Sequence, residues 1–166
     1  ALSLAPFTLY LVPDLMSAWF VTGTDTGVGK TLVAAALLTA LARAGRRAVG
    51  MKPVASGCDE TADGLRSADA EVLRAAGNVA AGLDEVNPYA LASATAPHLA
   101  AAAAGVQIDI AGIRKPYARL AARADAVVVE GVGGWLVPIN HTQTMADVVR
   151  ALELPVILVV GLRLGC

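Results

Sequence analysis

The chain has 166 residues, of which 56 % are hydrophobic and 16 % charged, and its formal net charge is −1 at neutral pH. This balance excludes a disordered segment and a strongly basic surface for nucleic acid or anionic membrane, while the length suits one domain with a substantial core. Cys58 and Cys166 form neither a disulfide framework nor a metal-ligand spacing, so a reducing, cytoplasmic setting is expected.

Residues 1–15 carry Pro6 and Pro13, show no helical or strand period that connects to the next segment, and lack the cationic start of a signal peptide. They are read as an extraneous or poorly ordered extension ahead of a P-loop domain at 16–166, with Met16 as the natural start. No apolar run reaches the roughly 18 residues of a membrane-spanning helix. A strand is expected over 18–22, and it enters the turn Gly23-Thr24-Asp25-Thr26-Gly27-Val28-Gly29-Lys30-Thr31 before a helix over 30–44 that closes at Gly45. Such a turn offers backbone N–H groups and the positive end of a helix to an anion. Gly27 and Gly29 permit positive φ and close approach, Lys30 would reach the β- and γ-phosphates, and the Thr31 hydroxyl would hold Mg²⁺. Thr24 stands where the common pattern has its first glycine, and the nearest glycine is Gly23.

Beyond the first helix the order is a strand over 47–51, a polar loop over 53–64, a helix over 67–76 and an irregular segment around Asn87-Pro88-Tyr89. Next come helices near 96–104 and over 109–123, a strand over 126–130, a helix over 144–152 and a strand over 155–160. This alternation implies an α/β fold, a mostly parallel sheet with helices on both faces, of the P-loop NTPase type. The runs 127–129 and 156–160 lack polar alternation, as expected of strands buried on both sides. With no covering helix after the last strand, the fold is expected to be truncated at its C-terminus.

Ligands of open α/β sheets bind at the carboxyl ends of the strands. Glu130 ends one strand and precedes Gly131-Val132-Gly133-Gly134; an apolar run capped by a carboxylate resembles a Walker B element that holds Mg²⁺, although a surface ion pair is the alternative. Lys52 ends another strand. It is one of three lysines and is placed to stabilise charge on a phosphoryl group, although a strand-end lysine is more often a solvated cation. Asp69 lies near a helix start, where the dipole alone favours a carboxylate. His98 and His141 have no nucleophile partner pattern, and Trp135 is read as core or interface before ligand cover.

The segments Phe20 to Thr31, Lys52-Pro53-Val54-Ala55-Ser56-Gly57, Gly64-Leu65-Arg66-Ser67-Ala68-Asp69, Val86-Asn87-Pro88-Tyr89, Ala96-Pro97-His98, Val129-Glu130-Gly131-Val132-Gly133-Gly134-Trp135 and Leu154 to Gly161 together closely resemble the dethiobiotin synthetase family. That resemblance implies an ATP- and Mg²⁺-dependent ring closure in biotin synthesis, converting 7,8-diaminononanoate and CO₂ to dethiobiotin, carried out by a cytoplasmic homodimer. It implies that Lys52, Lys30 and Thr26 act in catalysis and that Ser56 contacts the diamine. Gly27, Val28, Gly29, Lys30, Thr31 and Leu32 would hold the triphosphate, joined by Asp69, Glu130, Gly131, Val132 and Gly133, with Thr31, Asp69 and Glu130 as Mg²⁺ ligands. Two departures are visible. Gly27 stands where some members carry Glu, and the family's later portion, with adenine recognition and part of the dimer interface, is expected to fall after Cys166.

Two other readings share the loop. A cobyrinic acid diamide-forming amidoligase would bring a glutaminase domain, for which this length has no room. A partition or septum-positioning ATPase, which would bind DNA or membrane, places a lysine early in the loop where this chain has Asp25, and uses basic or amphipathic surfaces that are missing here.

Overall fold

Apolar segments without polar alternation form the middle of the molecule, since only strands covered on both faces tolerate them. The computed structural model describes residues 17–162, so the extension expected over 1–15, the start at Met16 and Cys166 lie outside the described residues. Along the chain the elements are β1 (Ser17–Gly23), α1 (Lys30–Arg43), β2 (Ala48–Met51), β3 (Val54–Ser56), β4 (Asp59–Thr61), β5 (Gly64–Arg66), α2 (Ala68–Ala76), α3 (Leu83–Val86), β6 (Tyr89–Leu91), α4 (Pro97–Ala103), α5 (Ile110–Ala121), β7 (Ala126–Glu130), α6 (Met145–Leu152) and β8 (Val156–Val159).

The central sheet has the order β2-β7-β1-β8, and every pairing in it is parallel. Side chains alternate across it. Val127 and Val129 join Phe20, Ile113, Leu120 and Val148 in one core, while Ala126 and Val128 join Val21, Leu38, Leu41 and Leu73 in the other. Helices α1 and α2 therefore cover one face, and α5 and α6 the other. Gly50 in β2 allows this closeness, because a Cβ there would come within 2.7 Å of Leu73 Cβ and 2.9 Å of Leu38 Cδ1.

One expectation needs correction. The loop over 53–64 contains paired strands: β3 lies parallel to β6, and β4 and β5 form an antiparallel hairpin. Val54 and Ala55 are buried, and buried backbone must be paired, which draws the segment around Tyr89 into a strand as well. Among the described residues β8 lies last in the sheet, beside β1, with Val156 and Leu158 43 % and 56 % exposed. Of the two readings of Trp135, core or interface, its 36 % exposure removes the first and leaves the second open. Helix α5 does run through Pro116 as expected. No helix among the described residues is long and apolar enough to cross a membrane.

Candidate functional site

The turn after β1 explains its unusual first position. Thr24 donates its backbone N–H to the Val159 carbonyl (3.0 Å), and its hydroxyl accepts from the Gly161 N–H (3.1 Å), so a threonine there ties the loop to the end of β8. Gly27 and Gly29 have φ of 74° and 102°. A Cβ at either would meet nothing within 4 Å, so it is the backbone conformation that selects glycine. Gly29 is the N-cap of α1, with no side-chain cap and no acidic residue in the first turn, which leaves the helix's leading N–H groups open to an anion. Lys30, only 6 % exposed, donates from Nζ to the Asp25 carbonyl at 2.7 Å. Burial pushes its pKa down, and the neighbouring Lys52 ammonium adds to this against the pull of Glu130 and Asp69.

Strand register assembles the charged centre. Met51 lies opposite Val129, which sets the next residues, Lys52 and Glu130, side by side at the strand ends. Alternation from Val128 turns Glu130 toward the α1 face, where Thr31 sits in the first turn. Glu130 is 0 % exposed, and its Oε1 accepts from Lys52 Nζ at 2.6 Å and from Thr31 Oγ1 at 2.9 Å. Lys52 is only 3 % exposed, so it is no solvated cation, and it also donates to Asp69 Oδ2 at 2.8 Å and to the Gly131 carbonyl at 3.2 Å. Asp69 reaches this point because Ser67 caps α2, accepting from the Ala70 N–H. Burial tends to raise the Asp69 pKa, but the Lys52 ammonium, with help from Thr31 and Lys30, outweighs it and holds the carboxyl below its ordinary value. The Lys52 backbone is clamped too. Its N–H donates to the Val86 carbonyl, and its carbonyl accepts from Asn87 Nδ2, each at 2.7 Å.

Around these groups is a cavity of about 420 Å³. Thr26, Gly27, Gly29, Lys30, Thr31, Lys52, Ser56, Asp69, Glu130, Val132 and Gly133 all line it, so residues separated widely in sequence share one wall. Val28, Leu32 and Gly131 are not among its lining residues: Leu32 is 75 % exposed, and Gly131 is packed so that a Cβ would strike the Phe20 ring at 2.8 Å. Ala55 and Ser67 also line it, and of these only Ser67, a capping residue ahead of a helix, carries a signal in the sequence. Asn87 has none that points to the site, since nothing local links it to Lys52. His98 and His141 line a separate cavity with Asp109 and Asn140. Among the described residues no three His, Cys, Asp or Glu side chains gather as a metal cage. A threonine hydroxyl and two carboxylates, one with a buried oxygen (Glu130 Oε2) that has no partner, nevertheless suit a hard divalent cation that completes its shell with water and phosphate.

A parallel sheet whose first strand feeds a glycine loop and helix N-terminus, with a buried acid at a neighbouring strand end, defines a P-loop nucleotide-binding α/β protein. Consistent with this, the family model described as "AAA domain" matches residues 17–166. The chain is 56 % identical over 149 residues to ATP-dependent dethiobiotin synthetase BioD of Xanthomonas oryzae pv. oryzae (strain PXO99A), covering 90 % of this chain and 66 % of that protein. The same-named proteins of Xylella fastidiosa (strain 9a5c) and Aromatoleum aromaticum are 55 % and 56 % identical over 151 and 149 residues, covering 91 % and 90 % of this chain and 67 % and 66 % of theirs. The chain belongs to the dethiobiotin synthetase family. It spans about two thirds of the length of the curated relatives it matches.

Proposed function

We propose that the protein of which this chain is a part performs the ATP-dependent closure of 7,8-diaminononanoate and CO₂ to dethiobiotin, as a cytoplasmic homodimer. The observation that carries this reading is the position of Lys52: a buried second lysine whose ammonium faces the P-loop cavity beside Asp69 and Glu130. A simple nucleotide switch has no need of a cation there, whereas a reaction that transfers a phosphoryl group to a bound carbamate does.

In this reading one amine of the substrate takes up CO₂ as a carbamate. The carbamate oxygen attacks the γ-phosphorus and ADP leaves; the second amine then attacks the carbonyl carbon, forming the ureido ring as phosphate departs. The open N–H groups from Gly27 to Leu32 and the Lys30 ammonium hold the triphosphate. Lys52 neutralises charge on the carbamate and on the phosphoryl group in transfer, Thr26 and Ser56 orient the reacting ends, and Val132 and Gly133, which line the cavity after Gly131, give close backbone approach. Thr31, Asp69 and Glu130 would hold Mg²⁺, which supplies positive charge to the phosphate oxygens when bound. Positioning and charge neutralisation suffice for this chemistry, with no covalent protein intermediate.

The full-length protein is expected to form dethiobiotin from the diamine, bicarbonate and Mg-ATP, and to form none when any one of them is omitted. ATP hydrolysis that responds to DNA or lipid and ignores the diamine would replace this reading with a switch ATPase.

A further inference from the structure

We infer that Lys52 is the resident counter-ion of the metal site, holding the place of a divalent cation until one arrives and turning to the substrate only when displaced. This rests on the assignment of Thr31, Asp69 and Glu130 to the metal. Those three residues already converge on one cation, since Lys52 Nζ lies 2.8 Å from Asp69 Oδ2 and 2.6 Å from Glu130 Oε1, and the same Glu130 oxygen accepts from Thr31. Two neighbouring carboxylates, one of them wholly buried, repel each other, and the Lys52 ammonium lies within hydrogen-bond distance of both. The ammonium offsets that repulsion and keeps the ligands in place.

A second cation competes for the same oxygens while the ammonium remains, because like charges at contact distance repel. The surroundings favour exchange over exclusion. Glu130 Oε2 is buried with no hydrogen-bond partner, an open position beside the occupied one. The Asp69 side chain is 46 % exposed, so its bond to Lys52 is the one that water can loosen. The Thr31 hydroxyl spends its proton on Glu130 and keeps its lone pairs available. The backbone of Lys52 is fixed by Val86 and Asn87, which leaves its four-carbon stem as the moving part. Delivery of positive charge to the phosphoryl group is thereby coupled to metal loading, and by reciprocity the ammonium opposes metal binding.

Mn²⁺ binding to the full-length protein without nucleotide, read from the free Mn²⁺ resonance, tests this. Lys52→Met is expected to bind Mn²⁺ about tenfold more tightly than wild type or better, with a clearly smaller gain for Lys30→Met, whose charge is near but not between the carboxylates. An unchanged or weaker affinity in Lys52→Met, or an equal gain in both variants, overturns the inference. If Lys52→Met does not fold, NMR of the wild-type lysine side-chain nitrogens decides: the Lys52 signal, assigned through Lys52→Arg, must shift with Mg²⁺ and ADP and not with ADP and chelator, and an unmoved signal overturns the inference. Neither readout needs the diamine, so exchange without dethiobiotin formation would sink the proposed reaction alone. Product formation without exchange would sink this inference alone, and no metal binding in any variant would sink the metal assignment with it.

Discussion

Glu130 has no exposed surface, so whatever neutralises it has to reach it inside the protein. Lys52 does so, and removing one partner of a buried pair costs about 3–5 kcal/mol because the other charge is stranded. In the full-length protein Lys52→Gln is therefore expected to lower the melting temperature as well as kcat, the latter on the order of 10²-fold or more if Lys52 acts mainly on charge that develops in the transition state. Lys30→Ala should behave differently. Its ammonium donates to a loop carbonyl, so stability is expected to change little while nucleotide binding and turnover both fall. Calorimetric binding and steady-state rates, taken at a temperature where both variants are folded, separate the two. Near-normal kcat in Lys52→Gln would return that residue to a purely structural ion pair.

Between β2 and α3 the connection carries the same burden at the next scale. Asn87 is buried and bridges the carbonyl of Lys52 at 2.7 Å, so Asn87→Ala leaves a buried carbonyl without that donor, at a cost of about 1–3 kcal/mol. A fall in kcat larger than the change in the KM for ATP is expected with it, since Lys52 is the part set adrift; a loss of stability alone, with normal kcat, would make Asn87 a fold residue and nothing more. At the end of α6 the backbone at Glu153 is left-handed, with φ of 54°. Glycine tolerates that conformation, so Glu153→Gly should stabilise the protein by about 0.5–1 kcal/mol in denaturant unfolding. A destabilised variant would mean that the Glu153 side chain contributes more than its backbone costs.

For the molecule as a whole, the amino ends of β2 and β7 are joined by Asp125, whose carboxylate accepts from the Arg47 backbone N–H at 2.9 Å and from its guanidinium at 2.6 Å and 3.1 Å. The guanidinium hydrogen bond first, then the backbone one, hold the Asp125 pKa at about 2 against an ordinary 3.8. A carboxyl with a lowered folded pKa contributes stability that is full above its unfolded value and fades as pH falls through the folded one. Asp125→Asn is thus expected to be less stable than wild type at neutral pH, with the difference shrinking between about pH 4 and pH 2. Melting temperatures across that window check it, and a difference that stays constant would remove Asp125 from the acid response.

Much of this protein was legible one segment at a time. Glycines flanking Val28, the apolar run ending at Glu130 and the regular exchange of strands for helices are local properties, set by backbone sterics and by the period with which apolar residues meet a core. They suffice for a covered parallel sheet with a phosphate loop at the end of its first strand. The burial of Lys52 was not local, nor was the pairing of β3 with β6. Lys52 reads as a surface cation until strand register lays it against a residue 78 positions away and a capped helix brings Asp69 to its other side. Which segments pair depends on strands far apart in the chain, as β3 and β6 are, and the strength of a charge depends on the water that its neighbours remove. Both are decided by distant residues meeting, so only the tertiary structure decides them.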